Sequence, residues 1–236
     1  KYAASFQGDY AVAIDAAKRL SADINSDDLE NGRYQKRLSG VCLVNKMFGH
    51  WEKILHSKPT ASGTPYLDGI WSYCLGGAYA AKGDLISARR ELGKIWQITS
   101  LNNVNQYRVG PTPVSSLLKL AALGLSGEIK QASGALNEAI ADYQAAVELE
   151  DQNGYIEPPD WPQPIRHYLG SALLEAGRAP EAEAIYRQDL AWHQNNGWAL
   201  FGLWQSLAAQ GKALEAEETF EAYKHAWRDA DTKLSG

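Results

Sequence analysis

The sequence predicts an all-α fold, an α-α superhelix of stacked helical hairpins. Three observations carry that prediction. The first is self-similarity at a fixed period. Residues 163–196 lie over residues 197–230 with Leu169 on Leu203, Leu173 on Leu207, Gly177 on Gly211, Ala182 on Ala216 and Tyr186 on Phe220, an offset of 34 each time. Recurrence at one period of this size marks stacked supersecondary units. The second is helical periodicity, with apolar residues at i, i+4 and i+7 in the first half of each unit. The third is a recurring glycine at Gly8, Gly49, Gly83, Gly134, Gly177 and Gly211. Glycine ends a helix in the left-handed conformation, where a residue with a Cβ loses roughly 1–2 kcal/mol.

Small residues follow those glycines five places on, at Ala13, Ala88, Ala139, Ala182 and Ala216, where they let two helices approach; Ile54 departs from the rule. An aromatic four residues beyond the alanine fills the gap one turn later. The units read in order as 1–22 (partial), 34–57, 69–97, 113–150, 162–194 and 197–228. Gly49 to Gly83 is again 34 residues, whereas the other gaps of 41, 51 and 43 place insertions between units. The insertion ITSLNNVNQYRVGPTPVSS (98–116) is polar, carries two prolines, and is expected to cross the surface before a long helix from about Val114 to Ala132. The insertion DQNGYIEPPDWPQPIRHYLG (151–170) holds four of the nine prolines. Proline fixes φ and biases its predecessor towards extended geometry, so this loop is stiff. The tail AYKHAWRDADTKLSG (222–236) turns polar, as the terminal cap of a stack does.

Composition narrows the function classes. The 236 residues are 45% apolar and 22% charged, enough for a substantial core. A net charge of −5 without a Lys/Arg run longer than two argues against nucleic acid, and no apolar run is long enough for a membrane helix. Cys42 and Cys74 lack CxxC partners and read as buried free thiols, with a structural disulfide also compatible. No P-loop, GxGxxG, GxSxG or HExxH occurs. His50, His56, His167, His193 and His225 never share a helix face at i, i+3 or i+4, so no metal, cofactor or catalytic residue is assigned.

The stretches LGGAYAAKGDLISA (75–88), AIADYQAAVELE (139–150), LGSALLEAGRAPEAEAIY (169–186) and GLWQSLAAQGKALEAEETF (202–220) resemble the tetratricopeptide repeat (TPR). The resemblance covers nearly the whole chain and is sharpest in the last two units and in 69–92. Two residues depart from the motif. Trp204 takes a slot where the motif has Gly or Ala, which implies a splayed or repacked last pair, and Asp189 stands where the second helix usually has Ala. FGHWEKIL, GIWSYCLGGAYAAKGDL and YIEPPDWPQPIRHYLGSALLEAGR are similar to a bacterial TPR subfamily with no assigned activity, whose N-terminal half carries further repeats rich in histidine. That likeness implies a C-terminal fragment, in keeping with the opening KYAASFQGDY, which has neither Met nor a signal-like segment.

TPR geometry implies a concave groove lined by first helices. Projected onto this chain it nominates Lys36, Ser39, Tyr73, Cys74, His167, Tyr168, Ser171, Glu175, Trp198, Phe201 and Gln205, with Trp71 as a further aromatic. Each of these either faces a partner or packs on the neighbouring helix. The proline-rich loop supplies a second candidate: Tyr155, Glu157, Asp160 and Trp161 beside Arg166 and His167. There the alternatives are a polar-ligand site, or a structural loop in which Trp161 plugs the seam between units and Glu157 pairs with Arg166. The implied function is a non-enzymatic scaffold that binds a protein or peptide partner through the groove. The alternative is a supporting half for an enzyme or metal-dependent region lying upstream. Self-association through an apolar N-terminal stack end is a further expectation, with no nucleic acid and no membrane insertion. No residue names a compartment.

Overall fold

The computed structural model describes residues 2–25, 28–154 and 156–234. Its helices follow one another as antiparallel hairpins. The first comprises α1 (Tyr2–Phe6) and α2 (Tyr10–Ala22). The second has a broken first arm, α3 (Gly32–Leu38) and α4 (Gly40–Met47), joined through Ser39, whose backbone stays in the right-handed helical region; its return arm is the short α5 (Trp51–Leu55). Then come α6 (Pro65–Ala81) with α7 (Leu85–Thr99), α8 (Val114–Ala132) with α9 (Leu136–Gln152), α10 (Ile165–Glu175) with α11 (Ala179–Trp192), and α12 (Gly197–Ala209) with α13 (Ala213–Ala226). Each hairpin packs on the next in chain order, giving an all-α superhelix. The six repeat glycines all sit at the hairpin turns with φ between +67° and +81°.

Small residues set the helix spacing. Ala13, Ala88, Ala139 and Ala182 are fully buried, and Ile54 takes the same buried place in the second hairpin. A Cβ on Gly127 would overlap the Tyr143 ring, and a Cβ on either Gly170 or Gly202 would overlap the ring of Tyr186. Tyr186 is therefore wedged between its own hairpin and the following one. Likewise Gly69 and Gly76 on α6 leave the space that Leu118 and Leu125 of α8 occupy. At Trp204 the motif departure is absorbed by repacking: its ring lies 5.2 Å from Phe201 and 4.8 Å from Phe220, so an aromatic layer replaces the close helix approach.

The segment before α8 differs from the expected surface crossing. A 3₁₀ turn (Val104–Gln106) leads into a two-stranded antiparallel hairpin, β1 (Arg108–Val109) and β2 (Thr112–Pro113). Val104, Val109 and Thr112 are buried, because this hairpin packs against α3, where Gly32 leaves room for the Arg108 carbonyl. The following helix spans Val114–Ala132, the bounds read from the sequence.

The N-terminal end is also not the open apolar face that the sequence suggested. The last hairpin covers it. Trp198 Nε1 donates to the Ser5 carbonyl at 2.8 Å and Trp227 Nε1 to the Phe6 carbonyl at 3.0 Å. The tail over residues 222–234 stays largely exposed, as a polar cap does, and also acts as a clasp. Asp231 accepts from the N–H groups of Tyr10 and Ala11 at 2.7 and 2.9 Å, capping α2 beside its own N-cap Asp9, and Thr232 N donates to the Gly8 carbonyl. The first and last hairpins thus meet, while Val12 and Leu20 of α2 remain exposed.

Tyr186→Ala empties the seat between two hairpins and should cost about 3 kcal/mol or more in urea denaturation. Gly202→Val overfills the same seat and should cost about 1–3 kcal/mol.

Candidate functional site

The first helices bring a buried ion pair to the inner side of the superhelix. Lys46 Nζ on α4 lies 2.8 and 2.6 Å from the two carboxylate oxygens of Glu128 on α8. The ammonium also stands 4.3 Å from the Tyr73 ring centre, 5.7 Å from that of Trp51 and 5.8 Å from that of Tyr168, an aromatic cage that offsets part of its lost hydration. Gly77 makes the meeting possible, since a Cβ there would overlap Lys46 Nζ. Burial raises the Glu128 carboxyl even though Lys46 opposes the shift, and burial pushes the Tyr73 and Tyr168 phenols well up.

Across this surface runs the proline-rich loop between α9 and α10. Lys36 on α3 donates to the Pro158 carbonyl at 2.6 Å and to Asp160 Oδ1 at 2.8 Å. Thr112 Oγ1 donates to Asp160 Oδ2 at 2.7 Å, so a nearly buried carboxylate has both oxygens held. Trp161 is buried with its ring 5.2 Å from Tyr73, and Tyr168 donates to Gln163 at 2.9 Å. Two candidates that the sequence kept apart, groove and loop, are therefore one site: Lys36, Tyr73 and Tyr168 hold the segment that carries Asp160 and Trp161.

Beside it, Asp189 on α11 is a buried hub. Its Oδ1 lies 3.0 Å from His193 Nδ1, and its Oδ2 lies 3.2 Å from His167 Nε2 and accepts from Asn196 at 2.8 Å. Desolvation opposes ionisation, but His167, His193 and these hydrogen bonds hold the Asp189 carboxyl well below the usual range. His193 Nε2 in turn faces the Tyr2 hydroxyl at 3.3 Å, and the Phe6 ring packs on both imidazoles, tying α1 to the fifth hairpin. The departure from the repeat motif at Asp189 thus has a function in the fold, and it was the one sequence signal that pointed to this cluster. Lys46 and Glu128 were missed. Glu128 could have been found as the lone acid of α8.

Between hub and loop lies a small cleft of about 80 Å³, lined by Tyr2, Glu150, Asn153, Asp160, Trp161 and His193 among others. Desolvation pushes the Glu150 carboxyl up to about 8, against the hydrogen bond it accepts from Ile165 N at 3.0 Å and the nearby Arg166. At neutral pH this carboxyl is mostly protonated and can donate. Trp161 Nε1 and Asn153 Nδ2 are buried donors without a partner among the described residues.

The other nominated residues divide clearly. Tyr73, Ser39 and Cys74 are buried and form core, not groove surface. Trp198 is withdrawn from the groove into the clasp, against Phe48 and Trp227. Arg166 forks onto Asp151 at 2.8 Å through both terminal nitrogens, where the sequence pointed to Glu157; the exposed Glu157 side chain is not part of that fork. Tyr155 lies outside the described residues. Glu175 and Ser171 are exposed, Glu175 accepting from Gln131 at 2.7 Å. Phe201 and Gln205 are half-buried on α12, Phe201 packing on Trp204 and Tyr223. Among the described residues no group of three or more His, Cys, Asp or Glu is placed to hold a metal, and no helix is long and apolar enough to cross a membrane.

No family model and no curated protein matches the chain. Among solved structures, it is similar to one described as the crystal structure of BtubC (BKLC) from P. vanneervenii, with a TM-score of 0.52 and 16% identity over 96% of this chain and 93% of that one. At this identity the likeness concerns the fold: both chains follow a common helical path over nearly their full lengths.

Glu150 fixes the sign of a pH effect. Its folded pKa is raised above the ordinary 4.5, so its contribution is fully present below that value and is lost as pH rises through about 8. Glu150→Gln removes this titration while leaving Glu128 common to both proteins. Denaturant melts from about pH 5 to about pH 8 should therefore show the variant gaining on the parent by up to about 1.4 kcal/mol per pH unit.

Proposed function

We propose that the chain is a non-enzymatic TPR scaffold that holds a polypeptide segment of a protein partner on its inner side. The single observation behind this reading is that the first helices already grip an irregular, bent polypeptide segment. Lys36 bonds a main-chain carbonyl and a carboxylate of the 156–164 loop, and the Tyr73 ring meets its tryptophan at a tilt, from helices of the second and third hairpins. A main-chain bond, a charged pair and a buried aromatic anchor are the ordinary means of peptide recognition. The 34-residue offset, the turn glycines and the buried alanines support the TPR reading.

The site chemistry favours binding over catalysis. Asp189 holds its two histidines in a structural role, tying α1 and α12 to α11. The half-exposed Phe201 and Gln205 extend the inner surface beyond the loop towards the last hairpin.

A short-peptide array probed with the purified chain tests the reading. Some peptides should be retained, and Lys36→Ala combined with Phe201→Ala should lower their capture by about tenfold or more. Ile86→Ala and Leu214→Ala, on the exposed starts of α7 and α13, should leave capture unchanged. Retention of no peptide, or retention indifferent to the inner-side pair, would contradict it.

A further inference from the structure

We infer that the inner side is a receptor for one kind of segment, a bent, proline-rich stretch in which an acidic residue precedes a tryptophan, and that the chain's own loop 156–164 is its displaceable resident. This rests on the polypeptide-binding reading above and adds the chemistry of the ligand and the way the site is regulated.

The loop is held as a ligand is held. Its sequence IEPPDWPQP carries four prolines, which fix φ and so limit the entropic cost of holding its bent path on binding. Its contacts come from elements distant in the chain: Lys36 on α3 lies 122 residues from Pro158 and 124 from Asp160, and Thr112 on β2 lies 48 from Asp160. Gly110 gives the Asp160 carboxylate its clearance, since a Cβ there would come within 3.1 Å of Oδ1. The acidic residue is thus specified by a cation, a hydroxyl and a shaped backbone.

The tryptophan is specified differently. Its ring is 7% exposed and lies against Tyr73, but its indole N–H finds no acceptor among the described residues. A buried tryptophan ordinarily satisfies that donor. The seat therefore holds the ring by a tilted aromatic contact and leaves its indole N–H unpaired among the described residues. An incoming segment that supplies an acceptor beside its own tryptophan has a margin over the resident loop.

Tethering gives the resident an effective concentration on the order of millimolar, so a free segment of equal intrinsic affinity is largely excluded. The resting chain is closed, and a partner must bring extra contacts, such as those reaching Phe201 and Gln205, to displace the loop.

The test uses fluorescein-labelled IEPPDWPQP and the full chain with residues 157–163 replaced by a Gly-Ser linker of equal length. Anisotropy should show saturable binding to the replaced chain. Binding should fall by about tenfold or more when the Asp or Trp of the peptide becomes Ala, or when Lys36→Ala is added to the protein. The intact chain should bind the same peptide at least about tenfold more weakly. No binding to a folded loop-replaced chain, or binding indifferent to Lys36, overturns the proposal. Since Trp161 is buried, Lys36→Ala in the otherwise intact chain provides a second variant. Hydrogen exchange should speed up in 156–164 while α8 and α9 keep their protection. Unfolding of both variants by circular dichroism would make the loop a brace and overturn the proposal. If this peptide fails while array peptides still bind the inner side, only the present inference falls; if neither binds, the reading beneath it falls too.

Discussion

A lysine and a glutamate 82 residues apart meet where water is excluded, and the inner side of the superhelix is arranged around them. Neither charge is affordable alone in such a place, because the desolvation of each amounts to several kcal/mol. Lys46 and Glu128 therefore require α4 and α8 to sit at one separation. Gly77 between them requires that α6 bring no side chain to the same point, and Tyr73, Trp51 and Tyr168 close the cage. Once these helices are fixed, Tyr73 offers its ring to Trp161 and the position of the proline-rich loop follows.

The spacing of the helices obeys a different rule. Close helix approach comes from glycine opposite a large side chain, at Gly69 with Leu118, Gly76 with Leu125, Gly127 with Tyr143, and Gly170 and Gly202 with Tyr186. Such contacts are apolar and local, and they repeat. The clasp between first and last hairpins is neither local nor repeated: two indole N–H groups and one aspartate satisfy backbone groups at the end of α1 and the start of α2. Helix ends carry backbone groups with no partner inside the helix, so the clasp completes what the stack leaves open.

These differences explain what could be read from the residues. The hairpin turns, the small-residue seats and the span of α8 follow from local chemistry, in which glycine takes positive φ, alanine permits approach and period 3.6 marks a helix. The groove nominations were read from a generic repeat and so treated the inner side as open surface. Tyr73 and Trp198 belie that, one under the loop and the other in the clasp. Lys36 and Asp160 were both singled out, yet nothing in one dimension says that they pair across 124 residues. Lys46 and Glu128 escaped notice because a charged residue inside a helix is usually a solvated one, and only tertiary structure shows that theirs is not. At Asp189 the departure from the motif was visible and His193 stands four residues on, while its partners His167 and Asn196 depend on how α10, α11 and α12 close together.

The buried pair is tested most directly by a double-mutant cycle on Lys46 and Glu128, read by equilibrium denaturation. Lys46→Met and Glu128→Gln should each destabilise by about 3–5 kcal/mol, since each leaves the partner uncompensated. The double variant should recover much of that loss, with a coupling of roughly 1–3 kcal/mol. Single losses that are small and simply additive would contradict the view that this pair organises the inner side.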